Sequence, residues 1–164
     1  DRGIPWRVAD SALLPVRLDD LTVQILYPPH GFSARRSGSN ERSIVYRLED
    51  DHYRTLLTGD IEAATERDML ERHVDLRADL LKVPHHGSRT SSTLSFLKAV
   101  APRDAVITSG FKNRFGHPSA EAVQRLLGQG IRIWRGDLCG ELVAHVTENA
   151  VSLQSIRPCI GSAP

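Results

Sequence analysis

Cysteine is nearly missing from this chain: Cys139 and Cys159 are the only two in 164 residues. A pair so placed makes neither a disulfide framework nor a zinc knuckle, and the expectation is two free thiols. Long apolar runs are missing as well. No stretch approaches the roughly 18–20 apolar residues that a membrane span needs, and no signal-peptide pattern is visible. Charge of one sign is also lacking. The 21 basic and 20 acidic residues leave a net charge of +1, a balance that does not announce a nucleic-acid binder and leaves room for local basic patches. There is no internal repeat and no low-complexity tract. What is present is globular, with 40% apolar and 25% charged residues, enough for one domain with a real core.

The chain is organised around Leu80-Leu81-Lys82-Val83-Pro84-His85-His86-Gly87-Ser88. The apolar run reads as a buried strand, Pro84 stops its ladder for want of an N–H, and Gly87 permits a sharp turn. Two further stretches have the same shape. Arg54 to Leu57 runs into Thr58-Gly59-Asp60, and Ala105 to Thr108 runs into a loop that reaches His117-Pro118. If the three strands are parallel neighbours, Asp60, His85, His86 and His117 converge on one rim. An acid and imidazoles on one rim suit a divalent metal.

The remaining elements follow from pattern. Trp6 to Val8 is a possible strand, and Leu21 to Tyr27 alternates as a strand. Ser33 to Asn40 is a polar loop with Arg35, Arg36 and Arg42 nearby. Ser43 to Glu49 and Tyr53 to Thr58 form a hairpin about Asp50-Asp51-His52. A helix is expected over Ile61 to Arg72, with Ala63, Ala64 and Leu70 buried and Glu62, Glu66, Arg67 and Glu71 wet. Ser91 or Ser92 is expected to cap a short helix through Leu94, Leu97 and Ala101. Ser119 should cap a helix through Leu127, with Gly130 past its end. Ile131 to Trp134, Gly140 to Val146 and Val151 to Ile156 close the chain as strands, the last two as a hairpin about Glu148-Asn149. This is an α/β, or α+β layered, fold.

Three motifs in this order, Leu57-Thr58-Gly59-Asp60-Ile61-Glu62, Leu81 to Ser88, and Phe115-Gly116-His117-Pro118, resemble the metallo-β-lactamase-fold domain of the ComEC family, the bacterial DNA-uptake channel of natural transformation. Asn40 to Val45 resembles the signature ahead of that family's hairpin, and residues 130–137 match as well, so the resemblance covers about residues 3–147. It implies an αββα sandwich of two βα halves with a hydrolytic metal site at the sheet edges. The family's H-x-H-x-D-H motif does not occur here. The expectation is therefore half of such a sandwich, a mixed β-sheet with helices on one face. It would form the C-terminal portion over residues 1–156, with a flexible tail over 157–164.

The resemblance further implies a divalent metal, zinc or manganese, in the complete domain, with none necessarily held by this portion. The implied partners are the missing N-terminal half, DNA as substrate, the integral-membrane channel of the parent protein, and a second copy through an open sheet. The parent would sit in the bacterial inner membrane and this portion outside the bilayer. The implied activity is a nuclease acting on the DNA strand that is not transported, inactive in this portion alone. The alternatives are a small-molecule ester hydrolase and a non-catalytic interaction module.

By the same resemblance Asp60 is the acid that bridges two metals; by its position it is equally a helix N-cap. His85 and His86 cannot point the same way from an extended segment, so one faces the site and one braces the loop. His86 is the choice for the site, as ligand or as the acid that protonates a leaving oxygen, and a buried structural histidine is the alternative for the pair. His117 is a metal or phosphate contact or a turn residue. Lys112 and Arg114, beside the Ser119 helix start, can hold a phosphate or simply face solvent. Ser88 is a substrate contact or a turn hydroxyl. Asn40 stands where related enzymes place a histidine, although an amide oxygen is a poor ligand for transition metals. His30, His52, His73 and His145 read as surface residues, and Trp6 and Trp134 as core rather than base-stacking residues.

Overall fold

A computed structural model describes residues 9–33, 38–147, 150–156 and 158–159. The possible strand at Trp6 to Val8, Arg35 and Arg36, and the hairpin turn at Glu148-Asn149 lie outside these residues. In chain order the elements are β1 (Val16–Leu18), β2 (Leu21–Tyr27), β3 (Val45–Glu49), β4 (Arg54–Leu57), α1 (Ala63–Glu71), β5 (Leu80–Lys82), α2 (Leu94–Val100), β6 (Asp104–Ile107), α3 (Ala120–Leu127), β7 (Arg132–Arg135), the one-turn α4 (Gly136–Cys139), β8 (Leu142–Thr147) and β9 (Ala150–Ser155).

Seven strands form one mixed sheet in the order β1-β2-β3-β4-β5-β6-β7. The first four pair antiparallel. Asp50 turns the β3–β4 hairpin: its Oδ1 accepts the N–H groups of His52 and Tyr53. From β4 onward the pairing is parallel, because α1, α2 and α3 lie between successive strands and carry the chain back to its starting edge. The expected class, a mixed α/β layered fold, is the one observed.

The helices cover one face. There Val45, Leu56, Leu81, Ala105 and Ile107 of the sheet pack with Ile61, Met69, Phe96, Val100 and Leu126. Arg47 also points into this face and is 7% exposed. It is held by the Asp75 carbonyl and carboxylate, by Gln24 Oε1 and by Glu49, which satisfies a charge that burial would otherwise penalise.

Several local expectations are corrected. In α1 the buried residues are Thr65, Glu66 and Met69, while Ala63 and Ala64 are exposed. Glu66 is fully buried because its carboxylate accepts the backbone N–H groups of Ser92 and Thr93 ahead of α2. Burial pushes its pKa above the usual carboxylate range, against the pull of those hydrogen bonds. The cap of α2 is Thr93, whose Oγ1 accepts the Phe96 N–H. Neither Ser91 nor Ser92 fills that role; the Ser91 hydroxyl donates to the Ile61 carbonyl instead. Ser119 caps α3 as its sequence context suggests, and Gly130 follows in the left-handed region. β3 starts at Val45 because Asn40–Arg42 forms a 3-10 turn first.

The other face is only partly covered. Leu153 of the β8–β9 hairpin packs with Tyr53 and Leu80, backed by Val106 and Trp134. Contrary to the expectation of free thiols, Cys139 and Cys159 form a disulfide. The hairpin folds the chain back, so cysteines 20 residues apart meet. A loop of that length stabilises by about 3 kcal/mol in the chain-entropy account. Cys159 falls in the stretch expected to be a loose tail, of which only residues 158 and 159 are described. Beneath the hairpin Asp104 is fully buried and accepts hydrogen bonds from Arg132, Trp134 Nε1 and Arg103. Burial alone would raise its pKa, but these donors outweigh it and hold the carboxyl below 3.8.

In acid the unfolded chain therefore takes up this proton before the folded one. The stabilisation from Asp104 is present above pH 3.8 and is lost as the pH falls from there through the lower folded value. Urea unfolding of Asp104→Asn is expected to show a loss of roughly 2–3 kcal/mol at neutral pH and a shallower decline below that point. Parallel pH profiles for the two proteins would refute this account of the cluster.

Candidate functional site

The parallel pairing of β4, β5 and β6 puts the turns after these strands on one edge of the sheet. Asp60 follows β4, His85 and His86 follow β5, and His117 closes the loop after β6. The three turns are tied together by the main chain. His85 N–H donates to the Gly59 carbonyl, Ser119 N–H to the Gly87 carbonyl, and Ala63 N–H to the Thr90 carbonyl.

Asp60 and His86 meet at this edge, with His86 Nε2 3.5 Å from Asp60 Oδ1. On its other side His86 Nδ1 lies 3.1 Å from both the carbonyl and the hydroxyl of Thr108. A proton on Nδ1, donated to that carbonyl, leaves the Nε2 lone pair facing Asp60, the orientation of a metal-ligating histidine. Asp60 does not cap α1; Glu62 holds the cap position.

His85 approaches from the same turn. Its Nδ1 is 3.2 Å from Glu62 Oε1, and its ring meets the His117 ring edge-on with centroids 5.6 Å apart. The alternation argument fails here for a physical reason. His85 and His86 have φ of 48° and 53°, so the segment is a left-handed turn rather than extended, and both rings reach the edge. His117 has its pKa lowered by burial, then by the neighbouring His85 and His86.

The other expected residues are spread around this cluster. Asn40 Nδ2 donates to Glu62 Oε1 at 2.9 Å, so it meets His85 through Glu62. Ser88 is buried, and its hydroxyl pairs with Thr90 Oγ1 at 2.9 Å as a turn hydroxyl. Lys112 and Arg114 stand exposed on the loop before His117, next to the rings of Phe111 and Phe115. Lys82 and Glu62 were not anticipated. Lys82 Nζ donates to the Gly59 carbonyl at 2.9 Å and lies 3.8 Å from Asp60 Oδ1. Burial holds its pKa below the ordinary lysine value, with Asp60 opposing the shift. The available signal was a lysine inside an otherwise apolar strand, where a charge needs a partner.

The family model described as "Metallo-beta-lactamase superfamily" matches residues 11–110, which include Asp60, His85 and His86. The chain belongs to the metallo-beta-lactamase superfamily. It is 32% identical over 143 residues to ComE operon protein 3 of Bacillus subtilis (strain 168), covering 87% of this chain and 18% of that protein. It is 34% identical over 119 residues to Competence protein ComA of Neisseria gonorrhoeae, covering 72% of this chain and 17% of that protein. It is 40% identical over 119 residues to the protein named Uncharacterized protein YcaI of Escherichia coli (strain K12), covering 72% and 16%. The chain thus spans less than a fifth of each of these relatives. The resemblance to the ComEC-type domain of this superfamily holds.

Members of this superfamily typically use a divalent metal, and an imidazole and a carboxylate are the right kinds of donor. Their number falls short. A catalytic zinc takes three protein ligands, and among the described residues no three histidine, cysteine, aspartate or glutamate side chains are grouped to hold an ion. These residues do not by themselves fit the metal.

The close fit of the turns is testable at Gly87. Its φ is +81°, and an added Cβ would lie 2.6 Å from Pro118 Cβ. Gly87→Ala is expected to cost roughly 1–3 kcal/mol in denaturant unfolding and to shift the NMR signals of the His117 ring. Unchanged stability would show that the β5 and β6 turns are not interlocked here.

Proposed function

We propose that this chain is the C-terminal portion of a ComEC-type domain that hydrolyses phosphodiester bonds in DNA, acting on the strand that is not transported during natural transformation. The observation that carries the reading is the Asp60–His86 pair, 3.5 Å apart on an edge that also holds His85 and His117. In this reading water forms the new bond to phosphorus as the bond to the leaving oxygen breaks. The attacking water releases a proton to solvent, and His86 delivers the proton that the leaving oxygen needs, an exchange suited to imidazole near neutral pH. His117, its pKa lowered by burial, holds the scissile phosphate through a ring N–H. Lys112 and Arg114 offset the charge of the phosphate.

The ligands in short supply would come from the N-terminal half of the same domain, which supplies the opposite wall. The partly bare sheet face supports such a partner. Val16 and Leu18 are 55% and 57% exposed, and Leu21, Val23, Ile25, Tyr46, Leu48 and Leu57 are only half-buried. A contiguous apolar patch of this kind seldom stays uncovered. A second copy of the chain is the other occupant considered, and with it the reading as a non-catalytic interaction module. In this reading the parent protein sits in the bacterial inner membrane, and the likeness to competence proteins supports a membrane parent. No helix among the described residues is long and apolar enough to cross a membrane. The Cys139–Cys159 bond supports a position outside the cytoplasm, since disulfides persist in oxidising compartments.

Metal binding, DNA cleavage and sedimentation test this reading. The chain alone is expected to bind zinc or manganese weakly by calorimetry and to hydrolyse little DNA. Joined to the preceding half, it should cleave single-stranded DNA with EDTA sensitivity, and Asp60→Ala or His86→Ala should slow cleavage roughly 100-fold or more. Robust EDTA-sensitive turnover by the chain alone, or a complete domain that prefers small esters, would overturn it. In sedimentation the isolated chain is expected to self-associate through its bare sheet face, and a well-behaved monomer at all concentrations would count against that face as an interface.

A further inference from the structure

The loop between β6 and α3 carries a feature that phosphodiester chemistry alone does not require. It reads Phe111-Lys112-Asn113-Arg114-Phe115-Gly116-His117, with one ring and one cation on each side of an amide. Phe111 is 62% exposed and Phe115 67% exposed, and large rings displayed side by side with charge mark a contact surface. Lys112 Nζ stands 5.3 Å from the Phe111 ring centre, and the Arg114 guanidinium 4.8 Å from that of Phe115.

The display is held in place. Asn113 uses all of its side-chain hydrogen-bonding capacity: Nδ2 donates to the Gly110 and His117 carbonyls, and Oδ1 accepts the Phe115 and His117 N–H groups. Left-handed backbone at Lys112 and Gly116 completes the turn. The rings are therefore exposed by a fixed loop.

Beside Phe115 opens a cavity of about 210 Å³, lined by His86, Thr108, Ser109, Asn113, Phe115 and His117 among others. Its wall is mainly apolar. In the same lining Ser109 Oγ and His117 Nδ1 are buried polar atoms without hydrogen-bond partners among the described residues. A phosphate would gain little from an apolar wall, whereas a flat ring with polar edges matches it. The Phe115 ring also stacks on the His117 imidazole, at 6.0 Å and 20° between planes. A group resting at Phe115 is thus adjacent to the Asp60–His86 edge.

We propose that Phe115 and its cavity form a subsite for one unpaired nucleobase of single-stranded DNA, with Lys112 and Arg114 meeting the flanking phosphates and Phe111 offering a second stacking surface. The proposal rests on the reading of DNA as the substrate and adds what part of it is gripped. Each nucleotide brings an apolar face and an anion, the complement of the two ring-and-cation pairs here. A base inside a duplex is already stacked and paired, so it has no free face for Phe115. Single strands and frayed ends are the ligands selected, with little preference for sequence because every base has such a face.

Fluorescence anisotropy with the full 164-residue chain and a labelled oligothymidylate of about 15 nucleotides tests this. A matched oligomer of abasic residues keeps the phosphates and removes the bases. The chain is expected to bind the thymidylate about tenfold more tightly than the abasic oligomer and than a blunt duplex of equal length. Phe115→Ala should abolish that difference, and Phe115→Trp should retain it. Lys112→Ala should weaken both oligomers alike and flatten the salt dependence. Far-UV circular dichroism checks that the variants are folded.

Equal binding of thymidylate and abasic strands, or a Phe115→Ala protein indistinguishable from the parent, would sink the proposal. So would a Phe115→Ala change that alters only self-association, since the ring would then serve a protein contact. Binding is read without turnover. A complete domain that cleaves no DNA would remove the hydrolytic reading while leaving this measurement intact. Normal cleavage by Phe115→Ala, with no loss of binding, would remove the subsite alone.

Discussion

The parallel ladder β4-β5-β6 is the constraint on which the candidate site depends. Parallel neighbours end on the same edge, so Asp60, His85, His86 and His117 share an edge although up to 57 positions separate them in sequence. An antiparallel β5 would send its histidines to the opposite edge. The helices that enforce the parallel returns are the same ones that bury the core on one face. Packing and chemistry are therefore set by one arrangement.

Behind the edge lies a partly buried polar brace. Glu66 of α1 takes the N–H groups of Ser92 and Thr93. Arg125 of α3 donates to the carbonyls of Arg89, Ser91 and Ser92. The segment from Ser88 to Thr93 runs directly on from the histidine turn, so helices that begin after the first and third turns both grip the chain leaving the second. A carboxyl group and a guanidinium on two helices hold the donors and acceptors of one loop, part of it buried, whose backbone groups would otherwise be unmet. A rigid support of this kind is what a loop-borne site requires.

Much of the architecture was legible in the sequence because its signals are local. The alternation over Leu21 to Tyr27, the apolar run before Pro84, and Ser119 ahead of α3 each act within a few residues. Glu66 is not legible in this way, because a carboxylate on a helix reads as solvent-facing until its partners are known, and those partners lie 26 and 27 positions away. The disulfide is hidden from the sequence for a similar reason, since nothing local says that the β8–β9 hairpin returns Cys159 to Cys139. His85 was expected to turn away because alternation holds for extended chain, and the left-handed turn breaks that rule.

The sequence by itself determined the strand-then-turn punctuation, the kinds of donor at each turn and their order, since these depend on side-chain pattern and on proline and glycine stereochemistry. Only the tertiary structure decided that His85 and His86 both reach the edge, that Lys82 and Glu62 stand among the donors, and that Phe115 lies against His117 beside an apolar cavity. Those are distances between segments remote in the chain or across a turn of unusual backbone, and they are set by how the sheet pairs and how the helices pack upon it.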